Sequence, residues 1–489
     1  MLNCAVIGSG IAGLAMAIRL RAKGHEVTVF EANNCLGGKL KEFSKDNYRF
    51  DMGPTVFTLP NLIDELFEIH NKEPRDYFSY SKLGTSFKYF FEDGTSINAF
   101  SNQELFENEI EKKTADTKIS FRKYLKDIAT KYKITRKVFI ENSLHIPSNF
   151  LTKEMANGIV NFHKIDAFKT MDKGNKSFFN DPKMIQIFNN YATYVGSNPF
   201  VAPATLNVIQ HLEINLGTYM PDKGMYSIVT ALVKLAMEVG VKIELNSLVE
   251  KINLTKNKAS GISVNGKTMK FDRVISNMDA YFTYKRLLPE IKLPKQLKQP
   301  KSASAIGFYW SIDKSFSELD VHNMLFSKSG KLEFDSLFNN HTICDDPSIY
   351  ISITSKHVKT DAPKNCENWF VMIHAPHVVN QNWKELIETT RKNVIIKINR
   401  ILKTNIEQYI KNEEVLSPIM IRDQYRSAFG SIYGNSSNGK FSAFLRHPNF
   451  TRKVKNLYFV GGTVHPGAGL PMCLNSAKIV DKLFKAIPI

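Results

Sequence analysis

Apolar positions along this chain follow two rhythms. Residues 2–31, "NCAVIGSGIAGLAMAIRLRAKGHEVTVFE" with Leu2 before them, open with a continuous apolar run over 2–7, as a strand buried on both faces requires. Helical apolar spacing follows from Ile11 to Arg21, Gly24 supplies a helix stop, and Val27 to Phe30 read as a second strand. The same alternation returns later. A helix over 225–238 ends near Gly240 and a strand over 241–245 leads to Val249. "ASGISVNGKTMKF" predicts a hairpin on Asn265-Gly266, and "DRVISNMDA" a further strand. At the far end "NLYFV" (456–460) reads as a buried strand and 472–485 as a helix.

Between these stretches the rhythm lapses. "PNLIDELFEIH" is an amphipathic helix, and 86–100 a hairpin turning near Asp93-Gly94. Residues 121–140 form a basic helix with Phe121, Tyr124, Leu125, Ile128 and Tyr132 at helical spacing. That face predicts a helix packed on a core, with a membrane-surface helix as the alternative. A Pro- and Lys-rich connector (291–302) reads as a solvated linker or a membrane contact, and 303–415 mixes strands with a helix over 381–403. No fixed-period repeat occurs. The pattern predicts an α/β fold: 1–105, 205–290 and 415–489 build a discontinuous Rossmann-like nucleotide domain, and 106–204 and 291–414 an inserted α+β substrate domain.

Glycines give this frame its chemistry. Gly8, Gly10 and Gly13 form G-x-G-x-x-G between strand and helix, and Glu31 ends the second strand about twenty residues on. The turn brings backbone to a pyrophosphate, the helix start offers free N–H groups, and the acid accepts ribose hydroxyls, favouring FAD or NAD over NADP. Gly37, Gly38 and Lys39 follow at once, then Asp51, Gly53 and Pro54 at the end of another strand. In "NLYFVGGTVHPGAGLPMCLNSAKIV" (456–480), Gly461 and Gly462 let a strand end touch the ligand, and the next helix aims its N–H groups back at that spot.

Charge and cysteines narrow the setting. Net charge is +18 over 489 residues, with basic residues scattered and no nucleic-acid motif among them, so the charge suits an anionic membrane surface better than nucleic acid. Five cysteines at wide spacing, without C-x-x-C, predict neither a disulfide framework nor a metal site. With "MLNCAVIGSG" lacking a basic leader, the expected location is cytoplasmic, peripheral at the inner face of the cell membrane.

The order G-x-G-x-x-G, acid, G-G-K and D-x-G-P, with "MPDKGMYSIVTALVKLA" and "YFVGGTVHPGAGLP", resembles the carotenoid and phytoene desaturases of the FAD-dependent amine oxidase superfamily. "FGSIYGNSSNGKFSAFLRHPNF" (429–450) looks most like their bacterial 1-hydroxycarotenoid 3,4-desaturase branch; Lys39 departs from the family's usual arginine. The resemblance implies FAD as cofactor, held by Gly8, Gly10, Gly13, Glu31, Gly38, Lys39, Gly53, Val249, Gly462, Gly469, Leu470, Pro471 and Met472. It also implies a closing element at Ser276, Asn277 and Asp279, and a long carotenoid as substrate. Alternatives on the same scaffold are phytoene or diapophytoene desaturation, carotenoid oxygenation or isomerisation, and a prenyl-binding escort of the Rab GDP-dissociation-inhibitor type that needs no flavin. No side chain stands out as an obligatory base. His465 is a turn residue or a proton-handling one, Arg446 and His447 are candidates for the substrate's polar end, and Cys473 reads as a small core residue.

Overall fold

The computed structural model describes residues 1–439, 442 and 445–487. Lys440, Phe441, Ala443 and Phe444, which belong to the stretch carrying the branch resemblance, lie outside the described residues.

Strands from both ends of the chain and from its middle build one five-stranded parallel sheet. Its order is Leu457–Phe459, Arg273–Ser276, Asn3–Ile7, Glu26–Phe30, Lys242–Glu244. Register sets Ile7 beside Phe30 and Ser276, and Ser276 beside Phe459, so these strands finish at one edge. The central strand, NCAVI, is buried from Cys4 onward, as its unbroken apolar run requires. Helix Ile11–Ala22 packs against Tyr226–Glu238 and Leu470–Asp481. Glu65 accepts from both Arg19 (3.0 Å) and Lys478 (2.7 Å), which ties the N- and C-terminal helices through helix Asn61–Glu68. The C-terminal helix starts at Leu470, two residues before the expected position, because Pro471 suits a helical first turn, where no N–H is needed.

A seven-stranded sheet lies beside this unit, in the order Ile410–Leu416, Ser304–Ile312, Glu367–Ala375, Ile349–Ile353, His322–Leu325, Thr85–Phe90, Ser96–Phe100. Residues 85–100, placed by the sequence with the nucleotide unit, pair instead with His322–Leu325 and belong to this sheet. Alternation splits its faces. Phe308, Trp310 and Ile312 meet Val394, Ile395 and Ile398 of helix Trp383–Leu402, while Tyr309 and Phe370 face a helical layer drawn from 103–215. Arg49 joins the two units, pairing with Asp361 (2.7 Å) beside Asp51, whose carboxylate caps the backbone N–H groups of Met225 and Tyr226.

The basic helix runs over Lys118–Thr135. Its stripe of Phe121, Tyr124, Leu125 and Ile128 is buried against Phe106, Phe179 and Phe188, so this face serves the core. Lys131 is fully buried beneath it and pairs with Asp127 (2.5 Å) and Asp166 (2.8 Å). Exposed apolar side chains sit in the short helical pieces that follow, Phe150, Leu151, Ile159 and Val160, and in the next turn, Phe168. In the connector Leu297 is buried, and Lys301 donates to Leu297 O and Asn435 Oδ1.

Candidate active site

The first glycine turn caps the end of the central strand. Gly8, at φ +95°, donates its N–H to Phe30 O (2.8 Å). A Cβ at Gly13 would stand 2.2 Å from Gly8 O, so only glycine lets the helix approach the strand this closely. Helix Ile11–Ala22 begins at Gly10 with no side-chain cap, leaving its first N–H groups for a ligand. The second glycine pair lies on the first: Gly37 N–H reaches Ser9 O (3.2 Å), and a Cβ at Gly38 would stand 3.1 Å from Gly10 Cα. Glu31 is buried and accepts from Ser9 N (3.0 Å), Ser9 Oγ (2.6 Å), Asn33 N (3.0 Å) and Asn33 Nδ2 (2.8 Å). Ser247 N–H bonds Glu31 O (2.8 Å), and this brings Val249 into the apolar cluster of Ile7 and Phe30.

Asn277 connects the two ends of the chain. Its backbone N–H donates to Ile7 O (2.8 Å) and its Nδ2 to Val460 O (3.1 Å), while its Oδ1 would lie 2.7 Å from a Cβ at Gly10. A Cβ at Gly461 would lie 2.7 Å from Asn277 Nδ2. One side-chain amide therefore touches both glycine turns, and the expected meeting of the chain's ends is real. Gly462 backs onto Ala468 and Cys473, and Gly469, at φ +100°, opens the uncapped helix Leu470–Asp481 with free space at its Cα. Gly53 brings its strand end against the Lys39 carbonyl, where a Cβ would clash at 2.0 Å. Lys39 Nζ donates to Ser427 Oγ (3.0 Å) and Ile432 O (2.8 Å); burial holds its pKa below the ordinary lysine value, opposed by Asp279. Asp279 accepts from Tyr281 N and Ala428 N, and Ser276 shares a buried hydrogen bond with Thr283.

The remaining candidates cluster behind the C-terminal turn. His447 Nδ1 donates to Pro448 O (2.6 Å), so Nε2 accepts the Tyr284 hydroxyl (3.1 Å). His465 Nε2 donates to Asn142 O (2.8 Å), and its Nδ1 is buried with no partner among the described residues. Burial pushes both imidazoles down to about 4, so both are neutral near pH 7. Arg446 is buried against Gly467 and reaches Tyr433 O, Asn435 O and Ser437 Oγ at 3.3–3.4 Å. Burial alone pushes it down to about 10. The Cys473 thiol is pushed up to about 11 by burial, which suits a packing role. A cavity of about 570 Å³ opens beside this cluster, lined by His145, Phe150, Tyr284, His447, Phe450 and Arg452 among others.

Residues 11–480 match the family described as flavin containing amine oxidoreductase. The chain belongs to this family. It is 46% identical over 484 residues to the 1-hydroxycarotenoid 3,4-desaturase of Flavobacterium sp. (strain P99-3), covering 99% of each protein. It is 32% identical to the 4,4'-diapolycopene oxygenase of Methylomonas sp., over 98% of this chain and 97% of that protein. An oxidoreductase from Methanosarcina mazei shares the fold, with TM-score 0.64 and 16% identity over 98% of this chain and 100% of that one.

The flavoprotein's cofactor is FAD, and it is an oxidoreductase, which sets the escort alternative aside. The residues present fit that cofactor: Cβ-free ground at Gly10, Gly13 and Gly38, two uncapped helix starts, and a buried carboxylate at the second strand's end. Sequence reasoning underrated Asn277, whose bridging amide shows only once Arg273–Ser276 pairs with Asn3–Ile7 and Leu457–Phe459.

Proposed function

We propose that this flavoprotein desaturates a long carotenoid, forming the 3,4 double bond of a 1-hydroxycarotenoid. The observation that carries the reading is end-to-end likeness, at 46% identity, to a protein of that activity, combined with an intact two-ended glycine cradle. Desaturation removes a hydride and a proton from adjacent carbons, and bound FAD supplies the two-electron acceptor. The chain's residues do the holding. Gly8, Gly10, Gly13 and the start of helix Ile11–Ala22 take the pyrophosphate, Gly38 flanks it, and Glu31 gives up a protein donor to accept a ribose hydroxyl. Val249 covers the adenine. Gly53, Gly462 and the helix start at Gly469, Leu470, Pro471 and Met472 frame the redox ring, where free N–H groups favour negative charge. Lys39, set between Asp279 and the 427–432 segment, acts through charge near that ring.

Among the described residues no helix is long and apolar enough to cross a membrane. A carotenoid dissolves in the bilayer, and the exposed apolar Phe150, Leu151, Ile159, Val160 and Phe168 are interspersed along the chain with exposed Lys153, Lys164 and Lys169. Apolar side chains within a basic surround fit an anionic leaflet, such as the inner face of the cell membrane. The cavity beside Phe150 then opens toward the lipid. His447 lines this cavity, held by Tyr284 and Pro448, while Arg446 packs against Gly467 and positions the turn.

Likeness to an oxygenase at 32% makes oxygen insertion the second reading. Incubating the FAD-loaded protein with a 1-hydroxycarotenoid in liposomes and weighing the product decides between them. Loss of two hydrogens is expected; a gain of oxygen, or turnover of phytoene alone, overturns the assignment.

A further inference from the structure

The sheet face beneath the helical layer carries a polar cluster that the nucleotide cradle does not use. Glu213 is 1% exposed and stands on a π-helical turn, His211–Asn215, a geometry frequent at functional positions. Its two carboxylate oxygens accept the phenol hydrogens of Tyr191 (2.5 Å) and Tyr194 (2.7 Å), one each. No cation among the described residues contributes to its surroundings, and burial lifts its pKa to about 7. An ionised carboxylate offers about four acceptor positions, so roughly half its capacity is open. A buried carboxyl without a counter-charge is met in part by protonation, so packing alone gives no reason to place an acid here.

Other unspent polar atoms stand close by. Tyr350, whose hydroxyl burial holds neutral, shares it with His322 Nδ1 and Thr55 Oγ1, each at 2.8 Å. His322 Nε2 and Gln210 Oε1, the latter three residues before Glu213, are buried without partners among the described residues. The cluster is also tied to the cradle. Gly217 N–H bonds Glu213 O, Tyr219 N–H bonds Phe57 O (2.8 Å), and Thr55 lies two residues from the Gly53 turn against Lys39.

We propose that Glu213, held by Tyr191 and Tyr194, accepts the hydrogen bond of a hydroxyl at the end of the substrate and so selects hydroxylated over purely hydrocarbon polyenes. This rests on the carotenoid reading above. By its name the 46% relative acts on a substrate with the hydroxyl at carbon 1 and the new bond at carbons 3 and 4. A group that reads this hydroxyl therefore stands on the redox-ring side of the substrate, and the backbone bonds from Glu213 through Gly217 and Tyr219 to Phe57 lead toward the Gly53 turn. A site built around a substrate hydroxyl disfavours the analogue lacking it strongly, because the buried acceptor is then left unpaired.

The test compares kcat/KM for a 1-hydroxycarotenoid and for the same carotenoid without the hydroxyl, using FAD-loaded protein in liposomes. Wild type should prefer the hydroxylated compound by on the order of 10²-fold or more. Glu213→Leu should collapse that ratio, mainly through KM, and Glu213→Gln, which keeps an acceptor, should retain part of it. Flavin absorbance and thermal melting report whether each variant folds; should Glu213→Leu fail to fold, Tyr191→Phe with Tyr194→Phe takes its place, and loss of the preference is again expected. An unaltered ratio in a folded variant, or a wild type without preference, overturns the proposal. A wild type that desaturates neither compound overturns the carotenoid reading itself, and the two failures are thereby told apart.

Discussion

At the scale of single residues, two glycines three positions apart carry different loads. A Cβ at Gly13 would press on Gly8 O at 2.2 Å and on Asn277 Oδ1 at 2.9 Å, and the first of these is backbone that cannot turn away. A Cβ at Gly10 would meet only the Asn277 amide, at 2.7 Å. Gly13→Ala should therefore lower the stability of the apoprotein by about 1–3 kcal/mol, the usual cost of overpacking, as well as abolish FAD retention. Gly10→Ala should melt close to wild type, yet lose FAD, because it displaces the amide that links the two turns. Thermal melting of apoprotein beside flavin absorbance of the purified protein separates the effects. Equal melting losses in both variants would show that Asn277 is as rigid as backbone.

Among elements, periodicity was readable in Lys118–Thr135 and in the eight-residue helix Asn61–Glu68, and it did not mark the short pieces over 147–165. Lys118–Thr135 shows its apolar stripe in the sequence, and that stripe turns out to face Phe106, Phe179 and Phe188. The exposed apolar side chains of this lobe lie in Pro147–Leu151, Lys153–Val160, Phe162–Ile165 and the turn at Phe168, pieces shorter than the window of about 11–18 residues over which periodicity is read. The glycine turns were legible because each demands a backbone conformation that few residues supply. Glu213 was not, since its isolation depends on which helices and strands surround it, and nothing local distinguishes it from a surface glutamate. Leu151 is 90% and Val160 72% exposed, so Leu151→Asp with Val160→Asp should leave the melting temperature nearly unchanged. Each loses about 1.5–3 kcal/mol of lipid burial, so affinity for anionic liposomes, read by co-sedimentation, should fall by about 10²- to 10⁴-fold. Ile128→Asp, on the buried stripe, should do the reverse and destabilise the fold. Unchanged liposome binding in the double variant would move the docking face elsewhere.

For the molecule as a whole, buried titratable groups set how stability follows pH. His211, His447, His374 and His465 are pushed down to about 4 and His322 to about 3, all by burial, from an ordinary value near 6.5. Because their folded values lie below the unfolded one, their stabilising effect is complete above pH 6.5 and is lost as the pH falls toward 4. Over that window the unfolded chain binds protons that the folded chain refuses, and each imidazole removes about 1.4 kcal/mol per pH unit. Glu213 works the other way: raised from 4.5 to about 7, it favours the fold below 4.5 and loses that effect as the pH climbs to 7. Five groups outweigh one, and a typical stability of about 5–15 kcal/mol is consumed within two or three pH units. Acid unfolding followed by circular dichroism should therefore set in between about pH 6 and 4, well above the range where surface carboxylates alone would act. Glu213→Gln isolates the opposing group. Relative to wild type it should gain about 3 kcal/mol between pH 4.5 and 8, measured by urea unfolding at each pH, because the neutral amide carries no charge to bury. A flat difference across that range would mean that Glu213 keeps an ordinary carboxylate pKa inside the fold, and with it a cation or water that satisfies its open lone pairs.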